Sequence, residues 1–260
     1  MGREQGVACE QAAVIHSGSN LMVHLRPSPV VARVMSGTVA LHGDPERWLG
    51  HEVAVLGFLA PSGMAIAPSP SIDPGPYERD GLWMTFWSLI EERRTADLAE
   101  GAEALGRALR GLHEELRSFP GELPGFLDLR DDIERLRRQL WPGPGLSGEE
   151  IDALGERLLA LGETVFESAL PAQALHGDAT LFNLLRTPRG LVWNDFEDVF
   201  RGPVHWDVTG FAISLEMAGA DAAFVRRALA AYGWEDESEL GPFREAHELY
   251  DEIWQLYLAQ

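Results

Sequence analysis

The spacing of the apolar residues changes once along this chain, near Ser88, and that change limits the folds open to it. Before it the pattern is short. Residues 21–25 and 30–34 are apolar runs rich in Val, separated by Arg26-Pro27-Ser28-Pro29, which predicts a hairpin. Asp44 followed by Pro45 marks a helix start, with Asp as N-cap and Pro at the first helical position. Leu49, Val53, Leu56 and Leu59 then recur at helical spacing. Residues 64–67 and 82–88 read as two more strands, with a Pro- and Gly-rich loop over 68–80 between them. After Ser88 the period becomes helical. Leu98, Leu105, Leu109, Leu112 and Leu116 predict one long amphipathic helix, and Leu129, Ile133, Leu136 and Leu140 predict another. The chain breaks over 141–145. A capping box at Ser147-Gly148-Glu149-Glu150 then opens a helix on Ile151, Leu154, Leu158, Leu161 and Val165. Residues 222–232 and 240–258 carry further helical patterns. The expectation is an α+β protein with a β-rich part over 1–88 and a helical part over 89–260.

One segment breaks the helical texture. Residues 174–195 read as a short strand, a loop and a hairpin turning at Pro188-Arg189-Gly190, and polar groups stand at the ends of its apolar strands. Asp178 and Asn183 flank the loop in Leu175-His176-Gly177-Asp178-Ala179-Thr180-Leu181-Phe182-Asn183, and Asp195 ends the next strand. Pairing residues 184–186 with 191–193 would bring Asn183 and Asp195 together. Two carboxylates and an amide make an all-oxygen set, which suits a hard cation such as Mg2+ with phosphate oxygens completing its shell. Phosphoryl transfer needs such parts, because the protein mainly orients the nucleophile and neutralises phosphate charge. Taken singly, Asp178 and Asp195 read equally well as loop caps. A metal hydrolase built on His176 and Asp178 would lack further ligands at metal spacing.

Bulk composition sets outer bounds. The longest apolar run, over 53–60, is far shorter than the roughly 20 residues a bilayer span requires. Residues 1–10 show no apolar export segment, and Cys9 is the only cysteine, so the expected location is the cytoplasm. The formal net charge of −20 disfavours nucleic acid and anionic membranes as partners. It favours a cationic substrate, or is simply a solubility device.

His-Gly-Asp-x-x-x-x-Asn followed by an apolar strand ending in Asp resembles the catalytic signature of the aminoglycoside phosphotransferases and related kinases, which share the two-lobed protein-kinase-like fold. The likeness continues through Gly202-Pro203-Val204-His205-Trp206-Asp207. It implies Asp178 as the catalytic aspartate and Asn183 and Asp195 as the metal ligands. Asp207 and His176 would support the catalytic loop. Gly18-Ser19-Asn20 resembles the family's phosphate-covering loop, implying nucleotide contacts for Ser19 and Asn20. Val31-Ala32-Arg33-Val34 resembles its third strand, with Arg33 where protein kinases carry Lys and Glu52 as the ion-pair partner. Residues 83–87 resemble the strand leading to the interlobe hinge, where backbone groups around Phe86 and Trp87 would meet the nucleobase. His113 reads as structural.

The resemblance implies ATP or GTP with Mg2+, and a hydroxyl-bearing acceptor. For an aminoglycoside-like cation the candidate acidic residues are Glu197, Asp198, Glu216, Glu248, Asp251 and Glu252. Tyr250, Trp254 and Tyr257 could instead box a quaternary ammonium. Choline- or homoserine-kinase-like activity, or a non-catalytic nucleotide-binding relative, stay open alongside antibiotic phosphorylation.

Overall fold

The computed structural model describes residues 6–18, 20–35, 44–90 and 93–260, with only the main chain of Glu163. The chain divides into two compact units. One comprises Met1–Ala96, Phe119–Glu122 and Asn183–Asp198, and the other Asp97–Ser118, Leu123–Phe182 and Val199–Gln260.

The first unit is built on an antiparallel sheet. Its strands are β1 (Cys9–Ser17), β2 (Asn20–Pro27), β3 (Val30–Met35), β4 (Tyr77–Arg79) and β5 (Leu82–Ser88), in the order β1-β2-β3-β5-β4. β2 and β3 form the expected hairpin, with Leu21 opposite Val34 and Val23 opposite Ala32. β3 is the central strand, which is why Val30, Val31, Ala32 and Met35 are all buried. Alternation along a strand sends Val30 and Ala32 to one face, where they pack with Val7, Leu25, Ile72 and Phe86. Arg33 therefore lies on the other face. Helix α1 (Pro45–Leu59) starts where the sequence predicts, with Asp44 Oδ1 accepting from the Arg47 amide at 3.1 Å. It buries Leu49, Val55, Leu56, Leu59 and, among these apolar residues, Glu52.

The expected strand over 64–67 is not a regular one. Instead Met64 and Ile66 each bond to the main chain of Trp193, through Trp193 N to Met64 O at 2.7 Å and Ile66 N to Trp193 O at 3.0 Å. The loop over 68–80 contains β4, and β1 has no counterpart in the sequence reading. Three short strands complete this unit: β6 (Arg94–Thr95), and a hairpin of two more numbered below as β8 and β9.

The second unit is mainly helical. It holds α2 (Ala102–Leu116), α3 (Phe126–Arg137), α4 (Gly148–Ala160), strand β7 (Ala172–Leu175), strand β10 (Phe200–Pro203), α5 (His205–Met217), α6 (Ala222–Tyr232) and α7 (Gly241–Leu258). Between β7 and β10 in sequence come β8 (Leu184–Thr187) and β9 (Gly190–Trp193), which belong to the first unit. The long helix expected from Leu98 is interrupted. Leu98–Glu100 is a separate short turn, and Gly101 at φ +88° breaks the chain before α2, since that backbone state suits glycine. The Ser147 capping box is present, Ser147 Oγ accepting from Glu150 N at 3.2 Å and Glu150 Oε2 accepting from Ser147 N at 2.7 Å. The core of this unit includes Leu105, Leu109, Leu112 and Leu116 of α2 and an aromatic group formed by Phe126, Phe200, Trp206 and Phe243. No helix among the described residues is long and apolar enough to cross a membrane.

Candidate active site

In the second unit, β7 pairs with β10, Leu175 opposite Phe200, and its end delivers His176-Gly177-Asp178. Gly177 has φ +88°, a turn that a side chain would strain. Asp207, in the first turn of α5 and almost fully buried, clamps this turn. Its Oδ2 accepts from the His176 amide at 2.9 Å and its Oδ1 from the Gly177 amide at 3.0 Å. His113 of α2 lies with Nε2 3.0 Å from Asp207 Oδ2 and Nδ1 2.8 Å from the Tyr232 hydroxyl. Asp207 can only accept, so His113 donates from Nε2, and Tyr232 donates to Nδ1. Burial alone would raise the Asp207 carboxyl, but the hydrogen bond and charge of His113, with the nearby His176, hold it below the ordinary aspartate value. Trp206 adds a bond from its indole N–H to the Gly177 carbonyl at 2.9 Å.

The result is a fixed loop that carries an exposed carboxylate. Asp178 is solvent-exposed, its amide donates to His176 Nδ1 at 3.3 Å, and its carbonyl accepts from Thr180 at 2.8 Å. His176 is wholly buried. Its ring therefore braces the turn from inside. Leu181 is anchored by its amide donating to Ser214 Oγ of α5 at 2.9 Å.

In the first unit, β8 and β9 pair with Leu184 opposite Trp193 and Thr187 opposite Gly190. Asn183 and Asp195 thus stand at the same end of the hairpin, and the Asn194 amide donates to the Asn183 carbonyl at 2.9 Å. Asp195 has φ +65°, an uncommon backbone state for a residue with a side chain. Aspartate is among the few residues with a side chain that enter this region, and such positions cluster at functional sites.

Arg33 is surrounded by carboxylates. Its Nη1 donates to Glu52 Oε1 at 2.5 Å and Asp195 Oδ1 at 3.2 Å, and its Nη2 to Glu197 Oε2 at 2.6 Å. The side chains of Arg33, Glu52 and Glu197 are 6%, 1% and 12% exposed, whereas Asp195 is 38% exposed. Burial works against the Arg33 charge, yet the carboxylates of Glu52, Glu197 and Asp195 together hold its pKa above the usual arginine value. Burial pushes the carboxyls of Glu52 and Glu197 upward, against the pull of Arg33. Asn20, also buried, donates from Nδ2 to Glu197 Oε2 at 3.0 Å. Ser19 lies outside the described residues.

The remaining positions of interest are scattered. The side chains of Phe86 and Trp87 are buried in β5. The Phe86 amide donates to the Pro74 carbonyl at 2.9 Å and its carbonyl accepts from Ser69 at 3.2 Å. Of the six acidic residues, Glu197 lies in the Arg33 cluster and Asp198 is half-buried beside it. Glu216 makes a two-pronged bond with Arg244, both contacts at 2.9 Å, and Glu252 pairs with Arg157 at 2.5 Å. Glu248 and Asp251 share α7, and partial burial together with Glu248 raises the Asp251 carboxyl. Trp254 and Tyr257 rings lie 6.1 Å apart on the same helix. The sequence offered no sign of Tyr232 as a partner for His113, nor of Glu197 as a partner for Arg33.

The family model described as the phosphotransferase enzyme family, APH, matches residues 18–243. The chain belongs to that family. Among curated proteins no sequence matches it. Its fold is the kinase-like one of solved phosphotransferases. Choline kinase LicA from Streptococcus pneumoniae superposes with a TM-score of 0.69 at 11% identity, over 96% of this chain and 85% of that one. The amicoumacin kinase hAmiN, solved with AMP-PNP, Ca2+ and Ami, gives 0.73 at 13% identity, over 96% and 82%. The GDP and kanamycin complex of APH(2")-IIia gives 0.70 at 16% identity, over 97% and 88%. Two side chains of this chain carry oxygens of the kind a hard cation takes. Asn183 and Asp195 offer an amide and a carboxylate oxygen at one end of a hairpin, and the Asp195 side chain is the most exposed of the acidic groups around Arg33. Among the described residues no three His, Cys, Asp or Glu side chains form a metal cage of their own. A cation here would complete its shell with phosphate and water, as Mg2+ commonly does.

Proposed function

We propose that this phosphotransferase moves the γ-phosphate of ATP or GTP to a hydroxyl of a cationic small molecule, an aminoglycoside-like antibiotic foremost. Such a reaction would confer resistance by O-phosphorylation. The observation that carries the reading is the Asp207 clamp, which commits a buried carboxylate to the backbone of His176 and Gly177 and leaves Asp178 exposed on a fixed turn. In this reading Asp178 orients the acceptor hydroxyl and takes its proton. Asn183 and Asp195 would hold Mg2+, whose charge would offset that of the transferred phosphoryl group. Arg33, paired with Glu52, and Asn20 with Ser19 serve the nucleotide phosphates. The segment around Phe86 and Trp87 serves the nucleobase. Complexes of relatives with GDP and kanamycin, and with AMP-PNP, Ca2+ and Ami, support a nucleotide, a divalent cation and a small-molecule acceptor.

A specific observation favours a second reading. Glu216, Glu252 and Glu197 are already paired with Arg244, Arg157 and Arg33, so half of the six acidic candidates face an arginine. A monocation held by aromatic rings near Trp254 and Tyr257 needs fewer carboxylates than a polyamine does. Likeness to a choline kinase fits that alternative.

The test is Mg2+-dependent phosphate transfer from ATP and from GTP to a panel of aminoglycosides, tuberactinomycins, choline and homoserine. Transfer to an aminoglycoside supports the first reading, and transfer to choline alone the second. Asp178→Asn is expected to cut turnover by about 10²- to 10⁴-fold while nucleotide still binds. Near-normal turnover would remove Asp178 from its role.

A further inference from the structure

One oxygen of Glu197 ties the first residue of β2 to the middle of β3. Glu197 Oε2 accepts from Arg33 Nη2 at 2.6 Å and from Asn20 Nδ2 at 3.0 Å. Meanwhile Arg33 Nη1 serves Glu52 and Asp195. A guanidinium presents separate arms in a fixed plane, whereas the lysine ammonium is a single point charge. A lysine at position 33 could reach Glu52 and Asp195, or Glu197, but not all three. The carboxylate left over would be a buried charge without a cationic partner, which is strongly unfavourable.

Two more features point to a ligand beside this cluster. Asn20 Oδ1, Arg33 Nε and Glu52 Oε2 are buried and have no hydrogen-bond partner among the described residues, so polar capacity is left after the contacts within the cluster are made. Three carboxylates also outnumber one guanidinium, and the surplus negative charge favours a cation at the exposed carboxylate, Asp195.

We propose that Glu197 is a positioning residue that holds the second arm of Arg33 and the side chain of Asn20, leaving the exposed side of Asp195 to the cation that accompanies the nucleotide. The inference rests on the nucleotide-dependent reading above and adds to it a reason for arginine at position 33. Glu197 is then part of the nucleotide-binding machinery rather than of an acceptor pocket.

Calorimetric titration of the full chain tests it, with Mn2+ plus AMP-PNP and Mn2+ plus GMP-PNP as probes. The variants are Glu197→Gln, Arg33→Lys and the two combined. Glu197→Gln keeps the shape and removes the charge, and is expected to weaken binding by about tenfold. Arg33→Lys is expected to weaken it by about 30-fold, through the stranded carboxylate. The double variant should bind at least about threefold better than Arg33→Lys alone, because that carboxylate is gone. Glu197→Asp, which keeps the charge but draws it back from Nη2, should melt like the wild type and bind about as weakly as Glu197→Gln. Binding by Glu197→Gln within about twofold of the wild type overturns the proposal. So does a double variant whose loss is the product of the single losses, or one that recovers melting temperature without recovering binding. A wild type that binds neither probe sinks the nucleotide reading and this proposal with it. A binding wild type with an indifferent Glu197→Gln sinks the proposal alone.

Discussion

A carboxylate buried as deeply as that of Asp207 is tolerable only because every donor around it is aimed at it. The His176 and Gly177 amides and His113 Nε2 all point at its two oxygens. Asparagine has the same shape but one acceptor oxygen and two donor hydrogens, so at least one of the three donors would face another donor. Leaving a buried polar group unpaired costs roughly 1–3 kcal/mol, and breaking a buried charged contact about 3–5 kcal/mol. Asp207→Asn is therefore expected to lose about 3 kcal/mol in urea unfolding, and to lose activity as the Asp178 turn loosens. A loss below about 1 kcal/mol would show that the clamp is not what holds the turn. Tyr232→Phe probes the outer end of the same chain of contacts, where only the bond to His113 Nδ1 disappears, and a smaller loss is expected there.

Among elements, the contact of α2 with α6 is the most exacting. A methyl group on Gly106 would lie 1.9 Å from the carbonyl oxygen of Ala228 and 2.9 Å from its carbon, both backbone atoms that cannot rotate away. Gly106→Ala gains up to about 1 kcal/mol of helix propensity, but forcing the helices apart costs about 1–3 kcal/mol or more. Sterics win, and a net loss near 2 kcal/mol is expected in denaturant melts. Gly57 in α1 has open space at the same position, so Gly57→Ala should stabilise by up to about 1 kcal/mol. Opposite signs for the same substitution in two helices would separate packing from propensity. The sequence made the helices legible where local chemistry ends them, at Asp44-Pro45 and at the Ser147 box, and over Ala222–Tyr232. It did not reveal β1, most of whose residues are exposed, so no apolar alternation marks it. β4 was hidden because its three residues sit in a Pro- and Gly-rich stretch and pair only at the sheet edge. The same rule holds for the site. The His176–Asp195 segment is contiguous and was readable, whereas Glu197 and Arg33 stand 164 positions apart and only folding reveals that they meet.

At the scale of the whole molecule, the net charge of −20 and His247 respond to acid in opposite senses. Protonating surface carboxylates relieves self-repulsion. His247 works the other way. Its ring, on α7, stacks on Trp206 with centroids 3.9 Å apart and lies 3.0 Å through Nε2 from the Trp206 carbonyl. Burial pushes its pKa down from 6.5 to about 4, outweighing the Trp206 hydrogen bond and the nearby Asp207 that favour the charged form, while Arg244 adds to the lowering. The unfolded chain therefore takes up this proton before the folded one does. The stability contributed by neutral His247 is fully present above about pH 6.5 and is lost as the pH falls toward about 4. Between about pH 7 and pH 5 the loss amounts to roughly 2 kcal/mol. His247→Phe keeps a ring against Trp206 and removes the titration, so comparing the two proteins cancels the carboxylate contribution. Urea unfolding should show the wild type losing roughly 2 kcal/mol relative to His247→Phe over that interval. Parallel pH profiles for the two would mean that His247 is already solvated in the folded protein, and that the contact between α5 and α7 is looser than its ring stacking implies.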